Sequence, residues 1–254
     1  MNKPKIYQYG YDINEVAKQI YTPLRQEMLW GYFCKAADNE LYRLDQAYLK
    51  KDAVFPLSPQ DFYGKEVMIY VESGQISVNN NDLQPQETLL FRADQFSDFL
   101  NIKAQEASIV YFFSGPPSSD DLRDGIMKKS SVFNFRNQNW ADVLWTMVNR
   151  EFCGKKIFFQ KGNNSSFHFH CRKQEAYFVH SGKLLLRVRA GKGEDKFFVL
   201  NPGQAVNISP GLMHQAGGLE DTVVIEISTR DNDGDAFLIE SEFTKMPKIN
   251  ETKI

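Results

Sequence analysis

One arrangement of short apolar runs and turns occurs twice in this chain, and it restricts the fold more than any other feature. Ile69-Tyr70-Val71-Glu72-Ser73-Gly74 is echoed by Tyr177-Phe178-Val179-His180-Ser181-Gly182. Downstream, the stretch from Leu83 to Phe91, with a turn at Pro85, lies over the stretch from Leu200 to Ile208, with a turn at Pro202. Later still, residues 107–115 resemble residues 222–230 in their apolar pattern. The order strand, Ser-Gly turn, strand, Pro turn, strand is therefore used twice. Runs at 67–71, 87–91, 108–113, 156–160, 176–179, 184–188, 197–200 and 223–227 read as strands. Gly, Asn, Asp and Pro punctuate them, as at Asn79-Asn80-Asn81-Asp82, Gly191-Lys192-Gly193 and Asn201-Pro202-Gly203. Many short strands predict an all-β sandwich or barrel. Two copies of one β unit, joined near residues 130–145, predict domains at 1–135 and 136–254.

Helices are expected only at the periphery. Asp12-Ile13-Asn14-Glu15 resembles a capping box, followed by Ile13, Val16, Ile20 and Leu24 at helical spacing with a break at Pro23. A second short helix is expected over 140–149. The 254 residues are 42% hydrophobic and 24% charged, enough apolar material for a core. Thirty Lys plus Arg against 32 Asp plus Glu leave a formal charge of −2, which argues against a nucleic-acid or membrane surface. No apolar region follows the first lysines, and no stretch approaches the ~20 apolar residues that span a bilayer. Cys34, Cys153 and Cys171 are odd in number and scattered, so a disulfide framework is not expected. The expectation is a cytoplasmic protein with a small-molecule substrate.

All four histidines, His168, His170, His180 and His214, fall in the second copy. A strand has period two, so His168 and His170 project from one face. Glu175 follows after a short turn, and His214 comes after Ser209-Pro210-Gly211-Leu212-Met213. Three imidazoles and a carboxylate suit a divalent first-row metal such as Fe, Mn, Zn, Ni or Co, with positions left for water or substrate. Ser166 shares the parity of the two histidines and is a candidate substrate contact. Tyr177 shares the parity of Glu175 and is the best candidate for a polar or catalytic group in the pocket, although a buried tyrosine is more often a core residue. His180 has the opposite parity and Cys171 the opposite face, so neither is expected at the cluster. Lys161 is a candidate for attracting a phosphate or sugar carboxylate. Arg187 and Arg189 alternate with Leu184, Leu186 and Val188, which assigns them to a solvated outer stripe. Asp231-Asn232-Asp233-Gly234-Asp235 reads as an acidic surface turn.

Gly162, five residues, His168-Phe169-His170, four residues, Glu175, six residues, Gly182 resembles the first signature of the cupin superfamily. Gly203, Gly211 and His214 are similar to the second, but the proline stands at Pro210, with Ser209 in its usual place, and Gly218 replaces the closing asparagine. The resemblance implies two double-stranded β-helix jelly-roll barrels, with His168, His170, Glu175 and His214 as metal ligands and self-association as a homodimer. The first half resembles a bicupin partner without ligands: counted back from the Ser-Gly turn, Gln60 and Phe62 stand where the histidine pair would be. Cys153-Gly154-Lys155-Lys156 through Ser166, the histidine pair, Glu175 and Glu226-Ile227-Ser228-Thr229 are similar to small mannose-6-phosphate-isomerase-like cupins found with surface-polysaccharide enzymes. That implies a metal-dependent isomerase or epimerase of a sugar or sugar phosphate. A non-haem iron dioxygenase and a non-catalytic carbohydrate-binding or regulatory cupin are the alternatives.

Overall fold

A computed structural model describes residues 13–118, 127–131, 133–191 and 193–246. Asp12, the expected helix cap, and Lys192, in one of the expected turns, lie outside them. The described chain is almost wholly β and divides into two compact units. One comprises the residues up to Thr22, Phe135–Leu144 and the chain from Lys155 onward; the other comprises Pro23–Asn134 and Trp145–Gly154. No described helix is long and apolar enough to cross a membrane.

Every expected strand forms. In the first unit, Glu175–Ser181 lies between Ala205–Ile208 and Thr222–Thr229, all antiparallel. A second sheet runs in the order Lys196–Leu200, Leu184–Arg189, Met213–Gly218, Phe167–His170, Ala236–Glu240. Alternation explains the burial: Leu184, Leu186 and Val188 are fully buried. In the other unit, Glu66–Ser73 lies between Glu87–Arg92 and Ser108–Gly115. Its smaller sheet runs Val54–Leu57, Leu100–Ala104, Ile76–Val78, Asn81–Leu83.

Strand register carries the repeat to the level of single residues. Val67 pairs with Phe91 and Ser114, as Glu175 pairs with Ile208 and Ser228. Leu100 pairs with Leu57, as His214 pairs with His168. Leu57, Val67 and Leu100 therefore occupy the positions of His168, Glu175 and His214, inside an apolar cluster that includes Ile69, Phe91 and Phe112. This corrects the count that put Gln60 and Phe62 there. The first copy is three residues longer between this strand and its Ser-Gly turn, and the 3-10 turn Pro59–Phe62 takes up the excess.

Two helical expectations also change. The first helix covers only Ile13–Lys18; Ile20 and Tyr21 instead pair as a strand with Val206 and Ala205, and Leu24 is exposed. The stretch expected to be a second helix is the strand Asp142–Val148. Trp140, Val143, Leu144 and Met147 fit helical spacing as well, but Val143, Trp145, Thr146 and Val148 favour a strand wherever a sheet edge can receive them.

Both Ser-Gly turns are built alike. Gly74 and Gly182 have φ of 78° and 77°. A Cβ on Gly74 would strike the Ala107 carbonyl and the Ser108 side chain; on Gly182 it would strike the Asp221 carbonyl and Thr222. Ser108 and Thr222 hydroxyls tie each turn down, to the carbonyls of Gln75 and Glu106 and of Lys183 and Glu220. Gly74→Ala and Gly182→Ala should each destabilise the protein by about 2 kcal/mol or more, from left-handed strain plus the clash. Urea unfolding measures it, and a change within 0.5 kcal/mol (about the noise expected of a neutral surface change) would refute the strained-turn assignment.

Candidate metal centre

His168 and His170 stand on one face of Phe167–His170, and His214 is the direct cross-strand partner of His168 on Met213–Gly218. Ring centroids are 4.9 Å apart for His168 and His170, 4.5 Å for His168 and His214, and 5.8 Å for His170 and His214. One nitrogen from each ring lies within 4.8 Å of the other two. The backbone fixes which nitrogen that is. His168 Nδ1 donates to the Ser166 carbonyl, His170 Nδ1 to the Asp235 carbonyl and His214 Nδ1 to the Leu212 carbonyl, each at 3.0 Å. A carbonyl only accepts, so each Nδ1 carries the proton and a neutral ring leaves Nε2 bare.

Glu175 enters from the other sheet of the same unit. Its Oε1 is 2.7 Å from His214 Nε2 and its Oε2 is 4.0 Å from His170 Nε2. His214 Nε2 is buried without a hydrogen-bond partner of acceptable geometry, whereas Glu175 Oε2 has the Lys173 ammonium 2.6 Å away. Buried polar atoms without partners are rare, and a cation held beside His214 Nε2 and Glu175 Oε1 satisfies the imidazole nitrogen. Three bare imidazole nitrogens beside a carboxylate form a donor set that fits one divalent transition metal.

Burial and the neighbouring His214 push the His168 imidazole down to about 3, and burial lowers His170. Burial alone would raise the Glu175 carboxyl; the Lys173 ammonium, then His214 and His170, reverse that and hold it well below the usual carboxylate range. Tyr177, whose hydroxyl donates to Glu175 Oε1 at 3.3 Å, is pushed well above the ordinary phenol value by burial and by the carboxylates of Glu175 and Glu226.

The other candidates separate. Ser166 lies on the Nδ1 side of His168, its hydroxyl at 3.3 Å, where it orients the ring from behind the bare nitrogen. Lys161 is exposed and bridged to Gly218, four residues along the strand from His214 or about 13 Å. His180 lies outside the triad and Cys171 is exposed. Arg187 is not solvated: it is buried, paired with Glu240 at 2.9 Å and Asp195 at 2.6 Å, and lies over the Phe167 ring. The strand Ala236–Glu240 brings Glu240 to it, a partnership that alternation within one strand does not reveal.

Sequence reasoning missed a second buried charge cluster beside the triad. Lys173 Nζ lies 2.6 Å from Glu175 Oε2 and 2.7 Å from Glu226 Oε1. Lys155 reaches Glu226 at 3.3 Å and Asp231 at 3.0 Å. Glu226 sits opposite Tyr177 in register, and a lone carboxylate in the run Val223-Val224-Ile225-Glu226-Ile227 was the available signal. Asp235, read as part of a surface turn, instead accepts the backbone N–H groups of Cys171, Arg172 and Lys173 at 2.9–3.1 Å. Burial raises its carboxyl, but these three bonds outweigh that and lower it.

An unfolded chain protonates these imidazoles near their ordinary value, whereas the folded metal-free chain keeps His168 neutral down to about 3. Stability is then full above pH ~6.5 and falls as pH drops toward the folded value, by at most about 1.4 kcal/mol per unit for one group. Chelator-treated protein should be roughly 2 kcal/mol less stable to urea at pH 5 than at pH 7.5, and His168→Asn should flatten the profile. A wild-type profile already flat over that range would contradict a buried, neutral His168.

No protein-family model and no curated protein matches the sequence. Solved structures do. A substituted variant of Bacillus subtilis oxalate decarboxylase superposes with a TM-score of 0.63 at 14% identity, covering 84% of this chain and 77% of that one. A structure of oxalate decarboxylase that addresses its substrate binding mode gives 0.64 at 13% identity, covering 87% and 79%. One concerned with the Mn(II) centres of the Bacillus subtilis enzyme gives 0.64 at 12% identity, again covering 87% and 79%. Oxalate decarboxylase is a bicupin, and at this level of identity the likeness is one of architecture: the chain has the cupin fold, built from jelly-roll barrels.

Proposed function

We propose that this chain is a metal-dependent cupin enzyme that binds one divalent first-row metal through His168, His170, His214 and Glu175 and moves a proton between adjacent carbons of a sugar or sugar phosphate. The observation that carries the metal reading is the set of three Nδ1 protons given to backbone carbonyls, which leaves three bare nitrogens within 4.8 Å of one another. In this reading residues 136–254 are the metal-binding domain and residues 1–135 its counterpart without ligands. Leu57, Val67 and Leu100 at the matching positions support a first copy without ligands, while the compact units group the residues up to Thr22 with the metal-binding copy and Trp145–Gly154 with the other.

A bound metal supplies Lewis acidity: it polarises a substrate carbonyl and makes the neighbouring C–H more acidic. The protein's own groups orient and hold. Ser166, Asp235 and Leu212 fix the imidazole planes through their carbonyls. Tyr177 keeps its proton at neutral pH, so it acts as a hydrogen-bond donor and not as the base. Lys173 is likewise held protonated: burial opposes the charge, but Glu175, Glu226 and Asp231 raise the ammonium well above its ordinary value. A proton leaving substrate carbon passes to neither of these two groups.

Purified protein should hold one metal per chain by elemental analysis, and His168→Ala and His214→Ala should each lose stoichiometric metal. Metal-loaded protein should interconvert an aldose and a ketose from a panel of sugars and sugar phosphates, with at least a hundredfold loss in His214→Ala, about 2.7 kcal/mol of barrier. Oxalate, the substrate named for the solved neighbours, belongs in the same panel. Oxygen uptake with Fe(II) but not with Zn(II), without sugar turnover, would replace this reading with a dioxygenase. Metal-dependent sugar binding without turnover would replace it with a binding module.

A further inference from the structure

Lys173 is almost completely buried, its side chain 5% exposed, in the loop between two strands that each carry donors of the triad or its carboxylate. Its backbone cannot drift, because Asp235 takes the N–H groups of residues 171–173 while the Asp235 carbonyl also takes His170 Nδ1. One residue thus fixes both the ring of His170 and the loop that aims the ammonium. Nζ then sits between two buried carboxylates, 2.6 Å from Glu175 Oε2 and 2.7 Å from Glu226 Oε1, with Asp231 Oδ1 at 3.6 Å. Lys155 bonds Glu226 and Asp231 from another strand, so the group is held from several elements. An ammonium is buried at a cost of several kcal/mol unless it is paired, and here it is paired twice.

The two oxygens of Glu175 are consequently not equivalent. Oε1 lies 2.7 Å from His214 Nε2; Oε2 lies 2.6 Å from the ammonium and farther, at 4.0 Å, from His170 Nε2. Resting on the metal reading above, we infer that Lys173 is a positioning residue that restricts Glu175 to one-oxygen coordination through Oε1. Three imidazoles and one carboxylate oxygen leave two positions of an octahedral ion free. Two free positions suit a substrate that offers two adjacent oxygens, such as a vicinal diol, a hydroxy-carbonyl or a hydroxy acid. Without the ammonium, Oε2 is released to the metal, and one of those positions closes.

Mn(II)-loaded protein reports this through water-proton relaxation, which counts exchangeable waters on the ion. Wild type should keep two waters and Lys173→Met one, so relaxivity per bound Mn(II) should fall by about half. The loss should vanish in the Glu175→Gln background, where no second carboxylate oxygen is available. Should Lys173→Met fail to fold, Lys173→Met with Glu226→Gln removes the charge and one of its partners together and should give the same single water. Wild type that binds Mn(II) and a variant that retains both waters would overturn this inference while leaving the metal reading intact. Wild type that binds no metal overturns the reading and the inference with it.

Discussion

Three hydrogen bonds from imidazole Nδ1 to backbone carbonyls set the chemistry of this molecule. Each is ordinary in length, 3.0 Å, and each removes the same ambiguity, the choice between two tautomers. Two of the three carbonyls are two residues before the ring they orient, at Ser166 and Leu212, so the local chain supplies them. The third comes from Asp235, far along the sequence, whose carboxylate also gathers the loop between His170 and Glu175. Proton placement by second partners of this kind is what makes an imidazole a directed donor instead of a buried liability.

The two units show what the alternative looks like. Both fold the same strand order in the same register, yet one fills its barrel with Leu57, Val67 and Leu100 and the other places His168, Glu175 and His214 at those positions. Leucine and valine stabilise a core by burial alone. Two imidazoles and a carboxylate in the same place leave buried polar atoms, of which His214 Nε2 finds no hydrogen-bond partner, at a cost of about 1–3 kcal/mol. A fold that can be stabilised by hydrocarbon in one copy has no structural need of those groups in the other. The cost is intelligible if a cation recovers it.

Much of this was legible in the sequence because it depends on local period. Strand alternation put His168 and His170 on one face and the leucines of 184–188 inside, and the Ser-Gly turns exposed the repeat. What was illegible depends on partners remote in sequence or on spacing between elements. Arg187 reads as a solvated stripe until the strand carrying Glu240 is laid over it. Asp235 reads as a surface turn until its carboxylate meets the amides of 171–173. Gln60 and Phe62 displaced Leu57 in the sequence comparison because counting residues assumes equal loops, and a 3-10 turn broke that assumption. Lys173 was the costliest omission, since nothing in its neighbours marks a lysine that will be buried against two carboxylates.

Proton NMR of the cobalt(II)-loaded protein tests the central arrangement most directly. Three hyperfine-shifted resonances should appear that exchange away in deuterium oxide, one for each Nδ1–H of His168, His170 and His214, and replacing His168 or His214 by alanine, which costs the protein its metal, should abolish all three. Fewer than three such signals, or signals that survive those replacements, would contradict the convergence of three Nε2 atoms on a single ion.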